Sequence, residues 1–185
     1  KSLYTVSQTE IIDSFQVLLG DLYKLTYSSY LLELVDVLVQ EEEQNIDMFK
    51  LLLKSLRLMT KDDIDLELAV RAFELKSLSI SGYMPGLYSC VICDLKDLRG
   101  GSFSSSHGGM LCAKCSSKDS YSINIDVSTV NVMRYLLKAD MEKIHNLKLS
   151  PQIKNEMKKI MKNYIKYYLE RDFKSLNFLD NLSSI

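Results

Sequence analysis

Cys90-Val91-Ile92-Cys93 and Cys112-Ala113-Lys114-Cys115 hold all four cysteines of the chain, and the eighteen residues from Asp94 to Leu111 separate them. Two Cys-x-x-Cys pairs at that separation match the spacing of a four-thiolate zinc site, since each pair can put two sulfurs on one face of a tetrahedral ion. Around the pairs, from Gly82 to Ser122, Gly, Ser and Asp dominate and no helical period survives. The period returns on both sides. The pattern therefore predicts a mostly α-helical, bundle-like domain with a four-cysteine zinc module inserted in it. Its parts are expected at residues 1–82, 83–125 and 126–185, the last with a basic face.

Outward from the cysteines, apolar residues recur at helical spacing. Ser7-x-x-Glu10 has the form of a capping box, which predicts a helix from Gln8 toward Leu19, interrupted at Gly20. Leu31, Leu34, Val35 and Leu38 mark a second helix from Asp21 to about Val39, with Glu41-Glu42-Glu43 as a solvated turn after it. Phe49, Leu52, Leu53, Leu56 and Met59 form the next stripe. Asp62 or Asp63 is the expected cap of the helix carrying Ile64, Leu68, Phe73, Leu75 and Leu78, which closes at Gly82. Beyond the cysteines, Ser128 is the expected cap for a helix through Val132, Tyr135 and Leu136. Ser150-Pro151 then supplies an N-cap followed by proline at the first helical position, and that helix runs to about Leu169. A short final helix is expected over 172–182, packing Phe173, Leu176 and Leu179.

With 185 residues, 46% hydrophobic and 25% charged, the chain can bury one sizeable core. No apolar run approaches the roughly 20 residues needed to cross a bilayer, and residues 1–9 lack a signal-peptide core. Thiols kept as metal ligands fit a reducing compartment, so a soluble cytoplasmic protein with no membrane partner is expected. A start at Lys1 suggests a piece of something longer. The net charge of −1 hides a segregation: residues 1–75 hold seven Lys/Arg against fourteen Asp/Glu, whereas 134–174 hold eleven against five. Local fields steer a polyanion, so the C-terminal part is the candidate surface for nucleic acid or an acidic peptide.

Four thiolates close a tetrahedral site and leave no position for water or substrate, which implies structural zinc rather than catalysis at the metal. A nucleobase deaminase needs His-x-Glu, but His107 and His145 are followed by Gly108-Gly109 and Asn146-Leu147. That class is excluded. A redox dithiol and unmetallated buried cysteines are the rival readings, and His107 is a reserve ligand that four thiolates make unnecessary. Knuckles of this kind often carry a left-handed glycine after each second cysteine; here Asp94 and Ser116 stand there, and Asp tolerates that conformation better than most residues. The segment has few apolar residues, so metal binding is expected to contribute on the order of 10 kcal/mol to its folding. No phosphate loop, nucleophile elbow or carboxylate pair is present. No enzymatic activity is expected.

Lys154, Lys158, Lys162 and Lys166 recur every fourth residue on the last long helix, with Lys159 beside them and Ile153, Met157, Ile160, Met161 and Tyr164 opposite. Like charges at this spacing repel by a few tenths of a kcal/mol per pair, which a bound polyanion would offset by counterion release. The plain alternative is a solvated amphipathic helix. Tyr164, Tyr167 and Tyr168 could stack on bases, although the spacing also suits core or flank positions.

Arg71-Ala72-Phe73-Glu74-Leu75, then Gly82-Tyr83-Met84-Pro85-Gly86-Leu87, the first cysteine pair, and Gly108-Gly109-Met110-Leu111 before the second follow an order that resembles the C-terminal region of the RecO family of bacterial DNA repair proteins. Tyr30-Leu31-Leu32-Glu33-Leu34 and Leu169-Glu170-Arg171-Asp172-Phe173-Lys174-Ser175-Leu176 extend the resemblance over nearly the whole chain. Asp94, where the family often has Gly, departs from it, and the N-terminal OB-fold barrel that normally precedes this helical region is absent from this chain. The resemblance implies a recombination mediator. Such a protein binds single- and double-stranded DNA and the acidic C-terminal tail of single-strand-binding protein, anneals strands, and with RecR helps load RecA, in the cytoplasm at the nucleoid. It also implies zinc on Cys90, Cys93, Cys112 and Cys115. Contacts to DNA or an acidic tail by Lys154, Lys158, Lys162, Lys166, Arg171 and Lys174 are expected from charge alone. The alternative is a zinc-stapled protein interaction module without DNA binding of its own.

Overall fold

Residues 5–182 are described by the computed structural model of the chain. Helices α1 (Gln16–Leu19), α2 (Leu22–Leu38), α3 (Ile46–Met59) and α4 (Leu66–Ile80) come first, and α5 (Val127–Lys138), α6 (Met141–Ile144), α7 (Pro151–Leu169) and α8 (Lys174–Leu182) follow a small sheet. The sheet has strands β1 (Ser102–Ser104), β2 (Gly109–Leu111) and β3 (Ile123–Asn124) in the order β2-β1-β3, both pairings antiparallel. Phe103 sits opposite Met110 on one side and Ile123 on the other. The mostly helical architecture follows the sequence.

Helix α4 is the centre of the bundle. Leu68, Ala69, Val70, Ala72, Phe73, Leu75 and Leu78 are all buried on it, so it has no solvent face of any width, as expected of a helix enclosed by its neighbours. It packs against α2, α3, α5, α6 and α7, while α8 closes over α2. Two of its charged residues, Arg71 and Glu74, are buried with it. Arg71 Nη1 meets Glu74 Oε2 at 2.8 Å, and Tyr30 of α2 donates its hydroxyl to Glu74 Oε1 at 2.7 Å. Burial pushes the Glu74 carboxyl upward, opposed by the Arg71 guanidinium and the Tyr30 hydroxyl. Removing one partner would leave a charge uncompensated in the core.

Several expected boundaries shift. Residues 5–14 are not helical despite the Ser7 and Glu10 pattern, and Val6, Ile11 and Ile12 are exposed. A single cap cannot hold so short a helix when no apolar face is seated, so helix begins only at Gln16. Asp65, not Asp62 or Asp63, caps α4 by accepting from the Leu68 amide at 3.1 Å. Asp126, not Ser128, caps α5, accepting from the Ser128 amide at 2.7 Å. On α3 the buried stripe is Met48, Leu51, Ser55, Leu58 and Met59, which leaves Phe49 exposed. The cap at Ser150, with Pro151 after it, and the end of α7 at Leu169 fall as expected.

The segment between the helices is better anchored than its composition suggests. Leu87, Leu98, Phe103, Met110 and Leu111 are all buried. Phe103 packs edge-on against Tyr164 of α7 at 5.5 Å, and Tyr164 donates its hydroxyl to the Tyr83 carbonyl at 3.1 Å. Arg134 of α5 donates to the Leu87 carbonyl from Nε at 2.9 Å. Strands of two or three residues give no readable alternation, so the sequence pattern does not reveal this apolar floor.

Candidate metal centre and basic surface

The two cysteine pairs are brought together by backbone geometry. Gly109 lies directly on Gly86: a Cβ built on Gly109 would come 2.8 Å from the Gly86 nitrogen and Cα. That approach allows Gly86 to donate to the Gly108 carbonyl and Met110 to donate to the Gly86 carbonyl, each at 2.8 Å. Val91 then donates to the Met110 carbonyl at 2.9 Å, which ties the first cysteine turn to the strand leading into the second. Both pairs close tight turns, with Asp94 donating to the Cys90 carbonyl at 2.8 Å and Cys115 to the Cys112 carbonyl at 2.9 Å.

Asp94 adopts the left-handed conformation, φ 59°. A β-carbon is tolerated there because a short polar side chain eases that strain. Ser116 differs. It opens a 3-10 turn over Ser116–Lys118 instead of taking a left-handed angle, and its hydroxyl donates to the Cys112 carbonyl at 3.0 Å.

The Sγ atoms of Cys90, Cys93, Cys112 and Cys115 all lie within 4.8 Å of one another, and none forms a disulfide. Cys93 and Cys112 are 3.7 Å apart. Sulfurs about 2.3 Å from a tetrahedral ion stand about 3.8 Å from each other, so the arrangement fits a metal ion. Cys90, Cys112 and Cys115 are buried and Cys93 is exposed. Burial opposes ionisation of Cys90, but the backbone amides of Cys112, Cys93 and Ile92 outweigh it and hold its thiol at about 6. Burial and the neighbouring thiols push Cys115 up to about 12. Cys90 ionises easily while Cys115 resists, and a dication would favour the thiolate form of both. These four residues would hold the ion, and its chemistry there would be structural.

Neither histidine joins the cluster. His107 stands in the β1–β2 turn, its Nδ1 3.0 Å from the Ser104 hydroxyl, and His145 lies exposed after α6 with Nδ1 2.6 Å from the Glu142 carbonyl.

On α7 the buried side is Met157, Ile160, Met161, Tyr164 and Ile165, with Ile153 half-buried. Lys162 and Lys166 are exposed, whereas Lys154 and Lys158 are half-buried. Lys154 pairs with Asp65, the carboxylate that caps α4, and Lys166 pairs with Asp172 at 2.9 Å. Arg171 and Lys174 are exposed at the turn into α8. Lys162, Lys166 and Arg171 border a narrow cleft whose floor includes Tyr30, Ile165, Phe173 and Leu176. Three basic groups, with Asp172 among them, therefore border an apolar floor there, a feature the sequence shows only as separate stripes. No helix among the described residues is long and apolar enough to cross a membrane.

Comparison with known proteins follows the same lines. The family described as Recombination protein O C terminal matches residues 19–177. A protein named DNA repair protein RecO from Alkaliphilus metalliredigens is 45% identical over 177 residues, which cover 95% of this chain and 72% of the relative. Proteins of the same name from Symbiobacterium thermophilum and Clostridium perfringens are each 37% identical, covering 100% and 97% of this chain and 74% and 79% of theirs.

Proposed function

The chain belongs to the RecO family, and from that premise we propose that it serves DNA repair and homologous recombination as a binding protein without a catalytic step. The observation that carries the proposal is the basic rim of Lys162, Lys166 and Arg171 around the apolar floor of Phe173, Leu176 and Ile165. Lysine and arginine neutralise phosphates largely without regard to sequence, so this surface suits a DNA backbone. The same rim suits an acidic peptide that ends in an aromatic residue, the chemistry of the single-strand-binding protein tail. Through these contacts the chain would anneal strands and, with RecR, help load RecA. Lys158 and Lys174 extend the surface, while Lys154, engaged by Asp65, and Lys166, engaged by Asp172, each add less than a lysine without such a carboxylate.

Zinc is the proposed ion, since four thiolates are soft donors and make a closed tetrahedral site. Its role is to fix the module against α5 and α7.

The test is binding of a labelled single strand across a salt series by the chain and by a variant with Lys154, Lys158, Lys162 and Lys166 replaced by Ala. Affinity should fall about evenly across sequences, and the salt slope should flatten by roughly 0.7 for each phosphate no longer neutralised. Unchanged binding removes α7 from the DNA surface. The cleft also supports a second reading, a protein interaction module alone; an acidic, Phe-ending peptide that binds while no DNA does would establish it.

A further inference from the structure

A separate cavity of about 240 Å³ lies between the end of the cysteine module and α7, lined by Ser105, Ser106, Asp119, Tyr121, Asn163 and Tyr167. Tyr121 is 91% exposed and Tyr167 51%, so two aromatic rings border it with most of their surface in water. Tyr121 is fixed through its main chain and Tyr167 through its ring. Tyr121 donates its amide to Asp119 Oδ1 at 2.9 Å, and Asp119 Oδ2 accepts from Ser104 at 2.5 Å and Ser106 at 3.0 Å. Tyr167 packs edge-on against Tyr168 at 5.3 Å, and Tyr168 packs on Tyr164 and Tyr83.

The size and chemistry of the cavity narrow what fits. It is smaller than the roughly 300–1,000 Å³ of pockets for drug-sized ligands, yet roomy for one flat heterocycle. The Ser104 hydroxyl, with the Tyr121 amide, holds the Asp119 carboxyl below its usual range, so the group stays ionised. An anionic lining rejects a phosphate and accepts from an exocyclic amine, as carboxylates do with cytosine N4. Lys159, Asn163 and Tyr167 follow one another at four-residue spacing along one edge of α7, which places a cation for the sugar-phosphate chain beside the cavity.

We propose that this cavity is a slot for one unpaired nucleobase, stacked between Tyr121 and Tyr167 with its polar edge toward Asp119 and Asn163, while the strand runs along Lys159. The inference rests on the nucleic-acid reading above and adds preference for single strands over duplex. It gives the metal a second consequence: Cys115 leads directly into the Ser116–Lys118 turn and Asp119, so the ion would also position Tyr121.

The test uses the metal-loaded chain with labelled oligodeoxycytidine, an abasic strand of equal length and a blunt duplex. Replacing both Tyr121→Ala and Tyr167→Ala should weaken binding of the base-bearing strand on the order of tenfold or more, from the usual strength of base–aromatic stacking. Replacing both by Phe should preserve it. The abasic strand should bind the unaltered chain weakly and be indifferent to either pair of substitutions. The slot is overturned if the double Ala variant binds oligodeoxycytidine as the parent does, or loses abasic and duplex binding equally. Should the lysine variants still weaken binding in that case, the basic surface stands without the slot. If the parent binds no strand at all, both readings fall.

Discussion

Helix α4 and the cysteine module reach order by opposite means. The helix is enclosed by five neighbours and owes its place to Leu68, Phe73, Leu75 and Leu78, all buried in one continuous core. The module has strands of two or three residues, a glycine-on-glycine contact, a chain of serine hydroxyls and four thiols gathered to metal-binding distance. Dense apolar packing makes a helix bundle cooperative. The module shares that core through Leu87, Phe103, Met110 and Leu111, but its cysteine turns rest on short-range polar contacts and on the proposed ion, so loosening would begin at those turns. The difference separates a scaffold from a shaped surface.

Damage to each region should therefore have a different reach. Phe73→Ala should destabilise the whole chain by about 3–5 kcal/mol, read as a single denaturation transition moved to lower denaturant with the module lost at the same point. Two separate transitions would break the comparison from the helical side. Gly109→Ala pushes a methyl into the Gly86 backbone and should cost about 1–3 kcal/mol, confined to the module and accompanied by weaker metal binding because Val91 is tied to Met110. A loss spread evenly over α2–α4 in hydrogen exchange would contradict that confinement. The smallest effect is expected for Asp65→Asn. The amide oxygen keeps the cap of α4, so stability should stay within about 1 kcal/mol, while release of Lys154 should slightly raise affinity for a single strand. Reduced affinity would show that the Asp65–Lys154 pair shapes the surface.

The same contrast governs what could be read from the sequence. Long helices with repeated stripes, such as Leu31 to Leu38, are legible because many residues vote for one period. Their edges are not. Asp62, Asp63 and Asp65 are chemically equal caps, and only the need to seat Leu68 against the core selects Asp65. Met48 and Phe49 belong to adjacent stripes, and contact with α4 decides which turns inward. The four cysteines are legible because thiols at that spacing have few other uses. Tyr121 is invisible: one aromatic in a Ser and Asp loop has no period, and its partner Tyr167 lies far along the chain. The basic rim is half legible: Lys162 and Lys166 come from the α7 repeat, but the apolar floor is assembled from α2, α7 and the segment from Phe173 into α8, with nothing in the sequence to say that these converge.

On this account a metal on Cys90, Cys93, Cys112 and Cys115 orders the module and leaves the helices to stand alone. Native-state hydrogen exchange, followed before and after zinc is measured and then removed by a chelator, tests it most directly. One zinc per chain, with protection lost over 86–120 and kept across α2, α3 and α4, is the expected result. A chain without zinc whose 86–120 segment is nonetheless fully protected, or helices that lose protection together with it, would contradict the account.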